Sequence, residues 1–427
     1  MTVCRESQTV AGLRHHGLAK ELDVKSLQKR IPLAKPTLGA AERRAVDDVL
    51  QSGWISQGPK AAEFERDLSN FLHTKHSCVV NSGTSAILLA LTAAGIGNGD
   101  SVIVPSLTCP ASVLPAVALN ADVQFVDVDI STFNMTWTNL IHGLKSNTVA
   151  VLLVHLFGLM ADSQSIAKRL ATKNIILIED AALALGARRG SDYAGTVGAA
   201  GCYSFHPVKM ITTGEGGAVC TNDPLFAAQI ESDRSYGAAR SAWSRFQDND
   251  GEVGGFARVA YNMKLTDLQA AMGVPQLARL PGFIIERRCI AKRYLDAFAD
   301  LDFLQLPGYP KNEEEHVFQA FVCLWRPHPV QQLLDNSELF ERAVRSVENF
   351  RKEVSARGVG ISDAAQFLPE LPVFRRKSLD EARAKCPNAF LASRLAFALP
   401  IFPGMSDDEI DYVIRVVHEA AKATPKG

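Results

Sequence analysis

One lysine stands between a serine and a glycine-rich segment in the run Ser204-Phe205-His206-Pro207-Val208-Lys209-Met210-Ile211-Thr212-Thr213-Gly214-Glu215-Gly216-Gly217. Upstream, an apolar strand-like run ends in acid, Ile175-Ile176-Leu177-Ile178-Glu179-Asp180. Farther upstream, Asn81-Ser82-Gly83-Thr84-Ser85-Ala86 opens an Ala- and Leu-rich helical stretch, and its free backbone N–H groups suit a phosphate. Each feature has an ordinary reading when taken alone: a solvated turn for Lys209, an N-cap at Ser82, a cap or ion pair at Asp180. Taken together they make a set. An amine that forms an imine, a hydroxyl at Ser204 for a phosphate and an acid for a ring nitrogen are what pyridoxal 5'-phosphate (PLP) requires of a protein.

The elements that must position these groups are legible in the periodicity. Apolar, β-rich runs at 77–80, 101–105, 123–128, 148–156, 175–179, 201–205 and 217–221 alternate with helical segments such as 85–94 and 111–119. Such runs predict an α/β fold, with about seven strands in a mostly parallel sheet flanked by helices. Asp180 and Ser204 fall at the carboxyl ends of strands, where open α/β sheets place their ligands. Two further helices, 40–50 and 61–71, precede the first strand. The expected division is an N-terminal extension over 1–30, polar and partly helical, a large PLP-binding domain over 31–280, and a smaller C-terminal α+β domain over 281–427. In the last of these the pattern predicts a helix over 284–298, a strand over 316–325, a helix over 337–357, an irregular stretch and a closing helix over 407–421.

Composition excludes several classes. A chain of 427 residues, 47% hydrophobic and 21% charged, is that of an ordinary globular protein with room for two domains. A net charge of -1 gives no sign of a nucleic-acid or anionic-membrane partner. No apolar run is long enough to span a bilayer, and no basic segment followed by an apolar core marks a secretory signal. The 8 cysteines form no CxxC pair and the 10 histidines no HxxxH or HxH group, so the expectation is a cytoplasmic protein without a metal site. Asn81-Ser82-Gly83-Thr84 is not a GxGxxG turn, which excludes a nicotinamide dehydrogenase.

With those residues in view, the chain resembles the DegT/StrS family of PLP-dependent aminotransferases, fold-type I enzymes of amino-sugar biosynthesis. The resemblance runs from about Ile31 to Val417 and is carried by Ser52-Gly53-Trp54 to Gly58-Pro59, Asn81 to Thr84, Phe125 to Asp129, Glu179 to Ala182, Ser204 to Gly217, Tyr261-Asn262 to Ala271, and Leu399-Pro400 to Gly404. It implies that Lys209 holds PLP as an imine and then moves a proton between the amino acid's α-carbon and the cofactor's C4' carbon. Asp180 would pair with the ring nitrogen, while Gly83, Thr84 and Ser204 would bind the phosphate. Asn262 matches an asparagine that reaches the phosphate of the neighbouring subunit's cofactor, implying a homodimer with shared active sites. The implied reaction moves an amino group from L-glutamate or L-glutamine to a keto sugar, nucleotide-linked in the leading reading. Relatives that dehydrate instead carry histidine in place of the lysine. The alternatives are the same chemistry on a keto-cyclitol (an inosose) or another polyhydroxy ketone, and a PLP-binding regulator without turnover.

Three positions depart from the family pattern. Cys109 stands where relatives usually stack an aromatic ring on the cofactor, and Leu183 where they often carry Gln or His near the ring oxygen. The segment 362–367 offers Asp363 and Gln366 where many relatives have a substrate-positioning histidine. These departures point to an acceptor other than the commonest nucleotide-linked sugars, or to a divergent pose for one. His206 and Glu215 flank Lys209 and read as structural, as does His155 after its strand, while Trp54 suits either the substrate mouth or the core.

Overall fold

A computed structural model describes residues 30–239, 242–249, 255–256, 258–308, 316–374 and 378–426; the expected extension lies outside them except for Arg30. Seven strands form the main sheet: β1 (His76–Val80), β2 (Ser101–Pro105), β3 (Asp122–Val126), β4 (Thr148–Val154), β5 (Ile176–Asp180), β6 (Ala200–Ser204) and β7 (Gly217–Thr221). Their order is β1-β7-β6-β5-β4-β2-β3, and β7 alone runs against the rest. The expected seven-stranded, mostly parallel sheet is therefore present.

Because side chains alternate along a strand, each strand feeds two cores. Val79, Tyr203 and Ala218 pack toward the helices Pro59–Leu72 and Asp267–Phe298, in a core with Phe64, Leu68 and Leu280. Cys78, Val80, Cys202 and Val219 pack on the other face toward the helices Gly83–Ala93 and Pro110–Ala118. Burial on both faces explains why these strands read as continuous apolar runs. The register pairs Val154 with Asp180 and Asp180 with Cys202, so the carboxyl ends of β4 and β5 lie level and β6 runs two residues farther, to Ser204.

A second, antiparallel sheet takes the order Leu304–Gln305, Phe321–Trp325, Ala396–Leu399, Ser362–Asp363. Its core, with Trp325, Phe350 and Phe397 at the centre, also contains Val154, Leu156 and Phe157 from the end of β4, so the two layers share apolar contacts. The segment Gln366–Phe367 pairs with Leu107–Thr108 and ties the second layer to the region after β2.

Three expectations are corrected. The helix expected over 284–298 is the second half of a 32-residue helix, Asp267–Phe298, which also runs through position 280. Pro275 and Pro281 lie inside it, and an interior proline costs about 3 kcal/mol. Packing outweighs that penalty: Leu277, Leu280 and Phe283 are buried, and a Cβ at Gly273 would come within 2.6 Å of the Phe64 ring. The strand expected from 316 begins only at Phe321, because Phe318 takes a φ of 49°. The buried Arg287 guanidinium binds the carbonyls of Phe318 and Gln319, both at 3.1 Å, and of Ile401 at 2.9 Å, holding that stretch out of the sheet. The stretch expected to be irregular before the last helix contains the helices Leu379–Lys385 and Pro387–Leu395 and the strand Ala396–Leu399.

Candidate active site

Asp180 closes β5 with its side chain buried. One carboxylate oxygen, Oδ2, accepts from the Ser112 hydroxyl at 2.6 Å; the other, Oδ1, accepts from the Ala182 N–H at 3.0 Å. Ser112 comes from the helix Pro110–Ala118, which opens directly after Cys109.

Lys209 lies in the loop from β6 to β7. That loop is tied to itself: the Thr212 hydroxyl donates to the Phe205 carbonyl at 2.9 Å and the Lys209 N–H to the His206 carbonyl at 2.9 Å. The Gln319 amide donates to the Val208 carbonyl at 2.9 Å, bracing the loop from the second layer. Burial holds the Lys209 amine below the usual lysine range, with the charges of Asp180 and Cys109 acting in the opposite direction. A larger neutral fraction of the amine is what attack on a carbonyl requires.

The third part is a close approach of backbone to backbone. A Cβ on Gly83 would stand 2.9 Å from Ser204 Cβ, and one on Gly217 would stand 2.5 Å from the Ser82 carbonyl carbon. Glycine at both positions lets the N-terminus of Gly83–Ala93 dock against the ends of β6 and β7. Ser82 caps this helix by accepting from the Ser85 N–H, and Gly83 and Thr84 lie among the first helical residues, whose N–H groups lack intrahelical acceptors. With Ser204 beside them, these groups form a cradle suited to a phosphate. The residues present therefore fit PLP.

Cys109, Leu183 and Lys209 line one cleft of about 800 Å³, together with Thr108, Gln319, Asp363 and Gln366. The structure thus brings the sequence-expected residues together in two groups, Lys209 with Asp180, Cys109 and Leu183, and Gly83 with Ser204. Thr84 is exposed next to Gly83. Asn262 does not line the cleft; it is exposed and bridges to Ser235. His155 is fully buried: its Nδ1 accepts from the Ala161 N–H at 3.1 Å, so Nε2 carries the proton facing Glu179 at 3.0 Å. His206 and Glu215 approach to 4.0 Å in an exposed pair. Trp54 packs against Trp243 and Phe246, with ring centroids 5.1 and 4.9 Å away, and does not line the cleft. Sequence reasoning missed Ser112 and Gln319. The one available signal for Ser112 was its position four residues after Thr108, whose hydroxyl it meets at 3.1 Å.

A half-buried lysine opposed to a carboxylate, next to a glycine-serine phosphate cradle at the carboxyl ends of a mostly parallel sheet, defines a PLP enzyme of fold-type I. The chain belongs to the DegT/DnrJ/EryC1/StrS aminotransferase family, whose model matches residues 36–418, and it is a PLP-dependent aminotransferase. It is similar to the spore coat polysaccharide biosynthesis protein SpsC of Bacillus subtilis, with 31% identity over 93% of this chain and 99% of that one. Among solved structures it resembles the aminotransferase TlmJ of Streptoalloteichus hindustanus, with TM-score 0.82 and 26% identity over 92% of this chain and 99% of that one. It also resembles the PLP form of the putative sugar aminotransferase Spr1654 of Streptococcus pneumoniae, with TM-score 0.81 and 25% identity over 92% and 99% of the two chains.

Proposed function

We propose that this enzyme takes an amino group from L-glutamate or L-glutamine and gives it to a keto sugar, in the leading reading a nucleotide-linked one. The observation that carries the proposal is the cleft lined by Lys209 together with the polar residues Gln319, Asp363 and Gln366, residue types suited to the hydroxyls of a sugar ring. The sugar-aminotransferase relative and the polysaccharide-biosynthesis relative support the same reading.

Each residue has a part in it. When bound, PLP supplies the aldehyde that accepts the donor's amine and a ring that delocalises the electron pair left at the α-carbon. Gly83, Thr84 and Ser204 hold the phosphate, and Asp180 fixes the ring nitrogen. Lys209 holds the cofactor between turnovers and carries the proton between the α-carbon and C4'. Cys109 and Leu183 line the same cleft and would meet the ring with side chains that can neither stack on it as an aromatic does nor, for Leu183, hydrogen-bond to it. Asn262 serves the phosphate of a second copy in a homodimer. Support for that copy comes from the exposed apolar residues beside it, among them Tyr261 and Val259, the latter 96% exposed. A cytoplasmic location is supported by the seven described cysteines, all unpaired. No helix among the described residues is long and apolar enough to cross a membrane.

The test is the visible absorption of the purified protein with PLP, before and after L-glutamate. Wild type should show the absorption of lysine-bound PLP and lose it on adding glutamate, and Lys209→Ala should show neither. Absorption that forms but responds to neither glutamate nor glutamine overturns the donor assignment. A protein that responds, and then aminates inososes but no keto sugar, overturns the acceptor.

A further inference from the structure

We propose that Ser112 is a positioning residue for Asp180 and that Thr108 sets the direction of its hydroxyl. The proposal rests on the reading of Asp180 as the acid at the PLP ring nitrogen. The Asp180 carboxylate can only accept, so at 2.6 Å the Ser112 hydroxyl is the donor. With its proton committed, Ser112 Oγ is left as an acceptor. The Thr108 hydroxyl, 3.1 Å away, is then the donor in that contact. The order Thr108 O–H to Ser112 O–H to Asp180 Oδ2 is therefore a directed chain in which each bond strengthens the next.

Both hydroxyls are buried, which removes competing water and makes their geometry count. The two oxygens of Asp180 are held by different elements: Oδ2 by the helix Pro110–Ala118 and Oδ1 by the chain just after β5. A carboxylate gripped at both oxygens cannot rotate about its terminal bond, so its remaining lone pairs keep a fixed direction. The outer end of the chain is fixed as well. Thr108 pairs with Gln366 across a two-stranded ladder, and Gln366 lines the cleft. The wall that meets the acceptor and the acid that meets the cofactor ring thus hold opposite ends of one relay.

Apoprotein is titrated with PLP at equilibrium and followed by absorption, in the wild type, Ser112→Ala, Ser112→Thr, Asp180→Asn and the double variant. Ser112→Ala is expected to weaken PLP binding about tenfold and Ser112→Thr to restore it, as loss and return of a hydrogen bond to a charged group predict. Added to Asp180→Asn, Ser112→Ala should change binding by less than about twofold, because the group it positions is gone. Equal losses in both backgrounds overturn the proposal, since Ser112 would then act without Asp180. Unchanged binding and absorption in Asp180→Asn alone overturns the underlying reading of Asp180, a result distinct from the first. Thr108→Val keeps the shape and removes the outer donor; a loss of about threefold is expected. No loss there overturns the directed chain even if Ser112→Ala fails to fold.

Discussion

Glu179 and Asp180 are neighbours on one strand, both buried carboxylates, yet the fold treats them in opposite ways. Alternation along β5 sends them to opposite faces. Glu179 meets a closed set of donors: the His155 ring at 3.0 Å and the N–H groups of Gly195, Val197 and Gly198 at 3.4, 2.8 and 2.6 Å. Asp180 meets two donors and keeps lone pairs for a ligand. Burial alone pushes Glu179 up, but the hydrogen bonds and the nearby His155 outweigh it and hold the carboxyl below the usual glutamate value. The difference teaches that burial of a carboxylate does not mark a functional group. What marks it is acceptor capacity left over.

The comparison breaks most directly by neutralising each carboxylate in turn. Asp180→Asn keeps the shape but turns an acceptor oxygen into a donor facing Ser112 or the ring nitrogen. Turnover should fall by orders of magnitude, on the scale of about a hundredfold or more for a lost preorganised charge, while the melting temperature changes little. Steady-state kinetics beside thermal unfolding check this; near-normal turnover would remove Asp180 from the chemistry.

Glu179→Gln should do the reverse. It replaces the charged acceptor with a neutral amide whose NH2 must face a buried donor, His155 Nε2–H or the N–H groups of Val197 and Gly198, and a buried polar group left unsatisfied costs about 1–3 kcal/mol of stability. Variant that still folds should bind PLP as the wild type does. Because the folded-state value lies below the ordinary 4.5, Glu179 contributes stability that is present above pH 4.5 and lost as pH falls through the folded value. Urea unfolding from neutral to acid pH should therefore steepen below that point in the wild type and flatten in Glu179→Gln. Equal slopes would mean that Glu179 is no better held than a free carboxylate.

Much of this contrast was legible in the sequence, though not all of it. Strands recurring as apolar runs, the acid at the end of β5, the serine at the end of β6 and the lysine after it were local signals, and local signals survive folding. The terminal bounds of β7 and the start of the helix Ser337–Ala356 also agree with their expected positions. What failed was non-local. The helix expected only from 284 starts at Asp267, with Pro275 and Pro281 inside it and Gly273 packed against the distant Phe64. Phe318 leaves the expected strand because Arg287, far away in sequence, binds its carbonyl. Ser112 is a plain helical serine in one dimension, and its partner lies 68 positions away.

Gln319 sharpens the comparison at its mildest point, since it braces the cleft without holding a charge. Its backbone carbonyl accepts from Arg287 at 3.1 Å, and its amide donates to the Val208 carbonyl at 2.9 Å, one residue before Lys209. Arg287 itself binds three carbonyls, and burial lowers its guanidinium to about 10. The staple thus runs from a buried cation, through one backbone unit and one exposed amide, to the lysine loop. Gln319→Ala removes only the last link. A neutral, partly exposed hydrogen bond contributes about 0.5–1.5 kcal/mol, so the expected effect is a two- to tenfold rise in the acceptor KM with kcat preserved. That split matters. A loop merely held in place for binding loses KM alone, whereas an equal fall in kcat and kcat/KM would put the Gln319 amide among the groups that act in the transition state, beside Asp180 rather than beside Glu179.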